Sequence, residues 1–199
     1  MATVEPPEPA AVATSVGRKP GRVNVETYDR MAESGLIPPD ARVELIDGEI
    51  VTMCPINSEH HGCVVFLTNW AVRTFGARAL TACQGPVRLD DYNEPEPDLA
   101  VIRPRSDHYR TSHPAPADVF FLIEVMNTSA AYDRGVKLGL YARSGIPEVW
   151  LVDLNAERVD VYRRPEGNVY REITVHQRGQ SVAPQAFPDA TLTVDQILG

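Results

Sequence analysis

Val119-Phe120-Phe121-Leu122-Ile123-Glu124-Val125 decides the fold. Every residue in this stretch is apolar except Glu124. An unalternating run of this length, rich in β-branched and aromatic side chains, is expected of a strand buried on both faces. Thr128 or Ser129 is placed to cap a following helix, expected to reach about Ser144 and to stop at Gly145. Val149-Trp150-Leu151-Val152-Asp153 is a second buried strand. Strand, helix and strand in that order make a crossover whose two strands run parallel.

The elements on either side extend this unit. Asn24 caps a short helix carrying Val25, Tyr28 and Met31 on one face, ended by Gly35 and Pro38-Pro39. Val43 to Val51 holds Asp47-Gly48 between two β-favouring runs, a hairpin signal because both turn positions tolerate positive φ. From Glu59 to Phe75, Val64, Leu67, Ala71 and Phe75 recur at helical spacing, with Trp70 beside them. Strands are expected near Ala79–Cys83, at Pro86–Leu89 and from Pro97-Asp98 through Ile102. Residues 158–162 and 168–173 alternate and form a more exposed hairpin, and Leu192–Leu198 is a short helix or turn. The expected class is α/β (α+β), a mixed β-sheet flanked by helices.

Residues 1 to about 22 are rich in Pro, Ala and small polar residues, and are expected to form a disordered tail before a single domain over residues 23–199. A hydrophobic fraction of 43% supplies a full core for that domain. The formal net charge of -8 argues against binding nucleic acid by bulk electrostatics, though not against a small basic rim around an acidic centre. Cys54, Cys63 and Cys83 are widely spaced and make no CxxC pair, which disfavours a zinc site or a disulfide framework. With no apolar leader and no run of membrane-spanning length, the expected location is the cytoplasm, with no membrane partner.

Chemistry enters through the charged residues inside apolar runs. A carboxylate at Glu124 costs free energy unless it is paired or holds a metal. Asp98 opens a neighbouring buried strand, and Lys137 lies on the helix that follows Glu124. Two carboxylates on adjacent strands can hold Mg²⁺ (or Mn²⁺), with the Val125 carbonyl as a third oxygen ligand. A lysine nearby can orient and activate a water, the arrangement that phosphodiester hydrolysis needs. Glu44, on the first hairpin strand, is a fourth candidate, either through a metal-bound water or by orienting the nucleophile.

Each residue also has a plain structural reading. Asp98 can cap a turn, Glu124 can pair with an arginine, and Lys137 can make a solvated pair with Asp133 four residues earlier. Glu44 can face outward from its hairpin, and Asp153 can cap the turn after its strand. His60 and His61 are expected in helix-cap or surface roles. Arg103, Arg105, His108, Arg110 and His113 share one long loop leaving the Asp98 strand, where they are either solvated or placed to touch a phosphate backbone. Two function classes remain open: a metal-dependent enzyme that hydrolyses phosphodiester bonds, and a catalytically weak or inactive module that acts in binding or protein interaction.

Taken together, Glu44-Leu45-Ile46-Asp47-Gly48-Glu49-Ile50, Pro97-Asp98-Leu99-Ala100-Val101, Ile123-Glu124-Val125, Asp133 to Lys137 with Tyr141, and Gly145 to Asp153 resemble the Uma-type restriction endonuclease family. That family belongs to the PD-(D/E)xK restriction-endonuclease-like superfamily. The resemblance runs from about residue 24 to the C-terminus. It implies a restriction-endonuclease-like core, Asp98 and Glu124 as metal ligands, Lys137 as the catalytic lysine and Glu44 as the accessory acid. It also implies a DNA substrate and a product carrying a 5′-phosphate. Met126 stands where the usual triplet has lysine, so the resemblance implies that the lysine has moved to the following helix as Lys137. Asn127-Thr128-Ser129-Ala130 replaces the Ser-Pro-Ser-Thr-like turn often found after the glutamate. A homodimer is a further expectation, since enzymes that cut both strands often work in pairs.

Overall fold

The structure, a computed structural model, describes residues 21–126 and 133–199. The first twenty residues of the expected tail lie outside it, as does the expected cap at Thr128 or Ser129. Among the described residues, six strands form one mixed sheet, and two further pairs form small sheets of their own. Helix α1 spans Val25–Glu33, with the Asn24 side chain accepting from the Thr27 amide at 3.0 Å. Strands β1 (Val43–Ile46) and β2 (Glu49–Thr52) make the expected hairpin. Its turn residues Asp47 and Gly48 have φ of 50° and 76°. A Cβ on Gly48 would lie 2.7 Å from the Arg22 Cβ, so both conformation and space call for glycine there.

Helix α2 (Ser58–Phe75) begins at Asn57, whose side chain accepts from the His60 amide. The main sheet follows as β3 (Leu80–Cys83), β4 (Leu99–Ile102), β5 (Val119–Met126), β6 (Glu148–Asp153), β7 (Arg158–Glu166) and β8 (Val169–Gln177). These strands lie side by side in chain order. Only β5 and β6 pair in parallel, with Glu124 opposite Leu151. Between them come a π-helical turn over Asp133–Lys137 and helix α3 (Leu138–Arg143), ended by Ser144 and by Gly145 at φ 78°. Strands β9 (Ser181–Val182) and β10 (Leu192–Thr193) pair before helix α4 (Val194–Leu198), which carries a capping box at Thr193.

The period of two along β5 divides the core. Phe121, Ile123 and Val125 pack with Leu67, Ala71 and Phe75 of α2 and with Ile197 of α4. Leu122 and Met126 pack on the other face with Leu138, Tyr141 and Ala142 of α3. Glu124 shares the α3 face by register. Helix α3 therefore covers it.

Two expectations are corrected. Residues 86–89 are extended but form no strand. The Val87 and Leu89 amides donate to the Pro95 and Asn93 carbonyls, and the ladder stops because Pro95 and Pro97 have no amide to return. The arginine-bearing loop 103–118 leaves the far end of β4, about 13 Å of strand away from Asp98. Two of its arginines are engaged locally. Arg105 pairs with Asp107 and lies over the Tyr109 ring, and Arg103 bonds the Ala117 carbonyl and lies over Phe120.

Candidate active site

The site forms where β4 begins and β5 ends. Because the two strands are antiparallel, with Leu99 opposite Ile123, residue 98 comes level with 124 and 125. Strand β4 has no residue left to pair beyond this point, and the Asp98 carboxylate takes its place. Asp98 Oδ2 accepts the Val125 amide at 2.8 Å, and the Asp98 amide lies 3.4 Å from Glu124 Oε2. The amide and carbonyl of one strand residue leave the same edge, so the Val125 carbonyl also emerges on the Asp98 side.

From Glu124 the contacts continue through α3 to the hairpin. Glu124 Oε1 accepts the Tyr141 hydroxyl at 2.6 Å and the Lys137 ammonium at 3.4 Å. Lys137 Nζ lies 3.0 Å from Glu44 Oε2, which also accepts the Glu96 amide at 3.2 Å. Glu44, Asp98, Glu124 and Lys137 are all buried, none more than 9% exposed. The structure thus brings together all four expected side chains, drawn from a hairpin, two sheet strands and the helical crossover. Glu44 points inward rather than out, and Lys137 faces carboxylates rather than solvent. Asp153 caps its turn through the Ala156 amide, as its plain reading requires.

Sequence reasoning missed two neighbours. His60 is not a surface residue: its Nε2 lies 3.0 Å from Asp98 Oδ2. Thirty-eight residues separate the two in the chain, and no local pattern could reveal the contact. Gln84 Nε2 lies 3.4 Å from Asp98 Oδ1, brought there by the end of β3. Tyr141, one of the residues on which the resemblance rests, lies one helical turn after Lys137 and on the same face.

The donor set is made of hard oxygens: two carboxylates and a strand-edge carbonyl. That chemistry suits a divalent cation of the Mg²⁺ type. Among the described residues no three His, Cys, Asp or Glu side chains converge as a preformed cage. Each Glu124 oxygen already accepts from a protein donor.

An acidic shell lies behind Glu44. Burial, with the Glu44 charge, raises the Glu96 carboxyl above its ordinary value. Burial first, then the Asp29 charge, pushes Glu94 from 4.5 up to about 7, and its Oε2 is buried without a partner among the described residues. Between these two values the unfolded chain has lost the proton that the folded chain keeps. The stability that this one group contributes is therefore full below about pH 4.5 and is lost as pH rises toward 7, by up to about 3 kcal/mol. Urea unfolding across this range is expected to show the fall, and Glu94→Gln to flatten it and to be the more stable protein at pH 8. An unchanged slope in the variant would assign the pH dependence elsewhere.

The family model described as putative restriction endonuclease matches residues 25–195. The chain belongs to the Uma2 family. That match takes in every Uma2-family residue described above at the site. No curated protein sequence matches the chain. A crystal structure of a putative nuclease from Anabaena variabilis superposes with a TM-score of 0.67 at 17% identity, over 84% of this Uma2-family chain and 96% of that one. At such identity the likeness is one of fold. No helix among the described residues is long and apolar enough to cross a membrane.

Proposed function

We propose that this chain is a divalent-metal-dependent endonuclease that hydrolyses phosphodiester bonds in DNA. One observation carries the reading: Glu44, Asp98, Glu124 and Lys137 meet in one buried cluster at the sheet end. Family membership and the shared fold support it. Held by Asp98, Glu124 and the Val125 carbonyl, Mg²⁺ or Mn²⁺ would supply positive charge to the phosphate and acidify a water. The protein's own groups do the rest. Lys137, fixed between Glu44 and Glu124, presents its ammonium to the attacking water and orients a lone pair toward phosphorus. Tyr141 holds the Glu124 carboxylate by its hydroxyl, and the Val125 amide and His60 hold that of Asp98.

The test is a cleavage assay on supercoiled and linear DNA with Mg²⁺ or Mn²⁺, with Asp98→Ala beside the wild type. Cleavage that needs metal and is lost in the variant supports the proposal. One observation favours the competing module that binds without cutting: the absence of a preformed three-donor cage among the described residues. Pure, folded protein that binds DNA but leaves it uncut with either metal would transfer the assignment to that reading.

A further inference from the structure

Helix α2 turns Leu67, Ala71 and Phe75 to the sheet. Its outer face is unlike that of an ordinary surface helix. Gly62, Val65, Asn69, Val72 and Gly76 are all exposed and recur at alternating spacings of three and four. That is the a/d seam of a heptad, and it runs along the side away from the core. The solvent side of a surface helix normally carries charge. Here no Asp, Glu, Lys or Arg occurs from residue 60 through residue 72. Val65 and Val72 are instead 44% and 58% exposed, and among the described residues nothing covers them. Gly62 belongs to the same pattern. A Cβ there would meet nothing within 4 Å, so no packing inside the chain calls for glycine, which weakens a helix relative to alanine. A bare backbone at the seam lets a second helix approach closely.

We propose that this seam docks on the same seam of a second copy of the chain, the two α2 helices lying antiparallel across a two-fold axis. The charges at the ends of the helix select this occupant. Glu59 lies in the first turn and Arg73 in the last. An antiparallel pair sets Gly62 opposite Val72 and Val65 opposite Asn69 of the second copy. Glu59 then comes within about 3 Å of level with Arg73 of the second copy, on the same side of the seam. The two-fold axis makes that contact twice. The opposed helix dipoles favour the same arrangement. A parallel pair would instead set Glu59 level with Glu59 and Arg73 level with Arg73. Asn69, a polar residue at a seam position, fixes the register at some cost in strength. One helix pair is a small interface, so the dimer is a weak one.

The experiment is sedimentation equilibrium of the full chain without DNA or metal, with a thermal melt of each variant beside it. The wild type is expected to dimerise with a Kd on the order of 10 µM. Val65→Glu and Val72→Glu change exposed side chains, so both are expected to melt like the wild type and to weaken the dimer by about tenfold or more. Arg73→Glu is expected to weaken it as well, by setting two acidic groups together. Adding Glu59→Arg to that variant reverses the pair and is expected to restore association. A wild type that stays monomeric up to about 500 µM, well above any Kd expected of a specific helix pair, would overturn the proposal. Dimers that persist unchanged in both valine variants would assign association to another surface and overturn it equally. A folded double variant that regains nothing would overturn the antiparallel arrangement. None of these outcomes depends on whether the chain cuts DNA.

Discussion

Glu124→Gln is expected to lower DNA cleavage by about a thousandfold or more, a loss of about 4 kcal/mol in transition-state stabilisation, while the protein stays folded. The amide keeps the volume of the carboxyl group. Its carbonyl can still accept the Tyr141 hydroxyl that Glu124 Oε1 now accepts at 2.6 Å. What disappears is the charge and the second oxygen donor beside Asp98. Cleavage kinetics alongside a thermal melt check the two halves together. A variant that melts like the wild type and still cuts at its rate would remove Glu124 from the ligand set. A variant that unfolds would show the carboxylate to be a structural one.

The second large effect is on stability. Lys137 lies 3.0 Å from Glu44 and 3.4 Å from Glu124, and each of the three is at least nine-tenths buried. Removing one partner from a buried ionic group leaves uncompensated charge and typically costs about 3–5 kcal/mol. Lys137→Met is therefore expected to lower unfolding free energy by that amount and to abolish cleavage. Adding Glu44→Gln removes one of the two stranded charges and is expected to restore a substantial part of the stability, but none of the cutting. Urea denaturation of the single and double variants measures the coupling. Additive effects of the two changes would mean that the pair does not interact as the geometry requires.

Much of this was legible because the decisive signals are local. A glutamate inside Val119–Val125 is conspicuous without any coordinates, and so is Asp47-Gly48 between two strands. Period and turn chemistry therefore locate β1, β2, β5, β6 and α2 closely. The misses each depend on what a segment meets in the folded chain. Composition marks the loop after β4 as basic, yet β4 is straight enough to keep it at the end opposite Asp98. Pro86–Leu89 has strand composition, yet its partner segment contains prolines that cannot return hydrogen bonds. His60 meets Asp98 only through the packing of α2 on the sheet, a tertiary fact without a sequence pattern.

The hairpin that carries Glu44 is a sheet apart from the six strands that carry Asp98 and Glu124. It is tied to the rest of the protein along its length: Ile46 packs in the core, Arg143 pairs with Asp47, the Asp47 amide donates to the Asn93 side chain, the Gly48 carbonyl accepts the Val23 amide and Leu45 pairs with Glu94. Lys137 is thus held between the main sheet, through Glu124, and the hairpin, through Glu44. The cluster exists only where two independently paired sheets meet, so the packing that docks one on the other is also what assembles it.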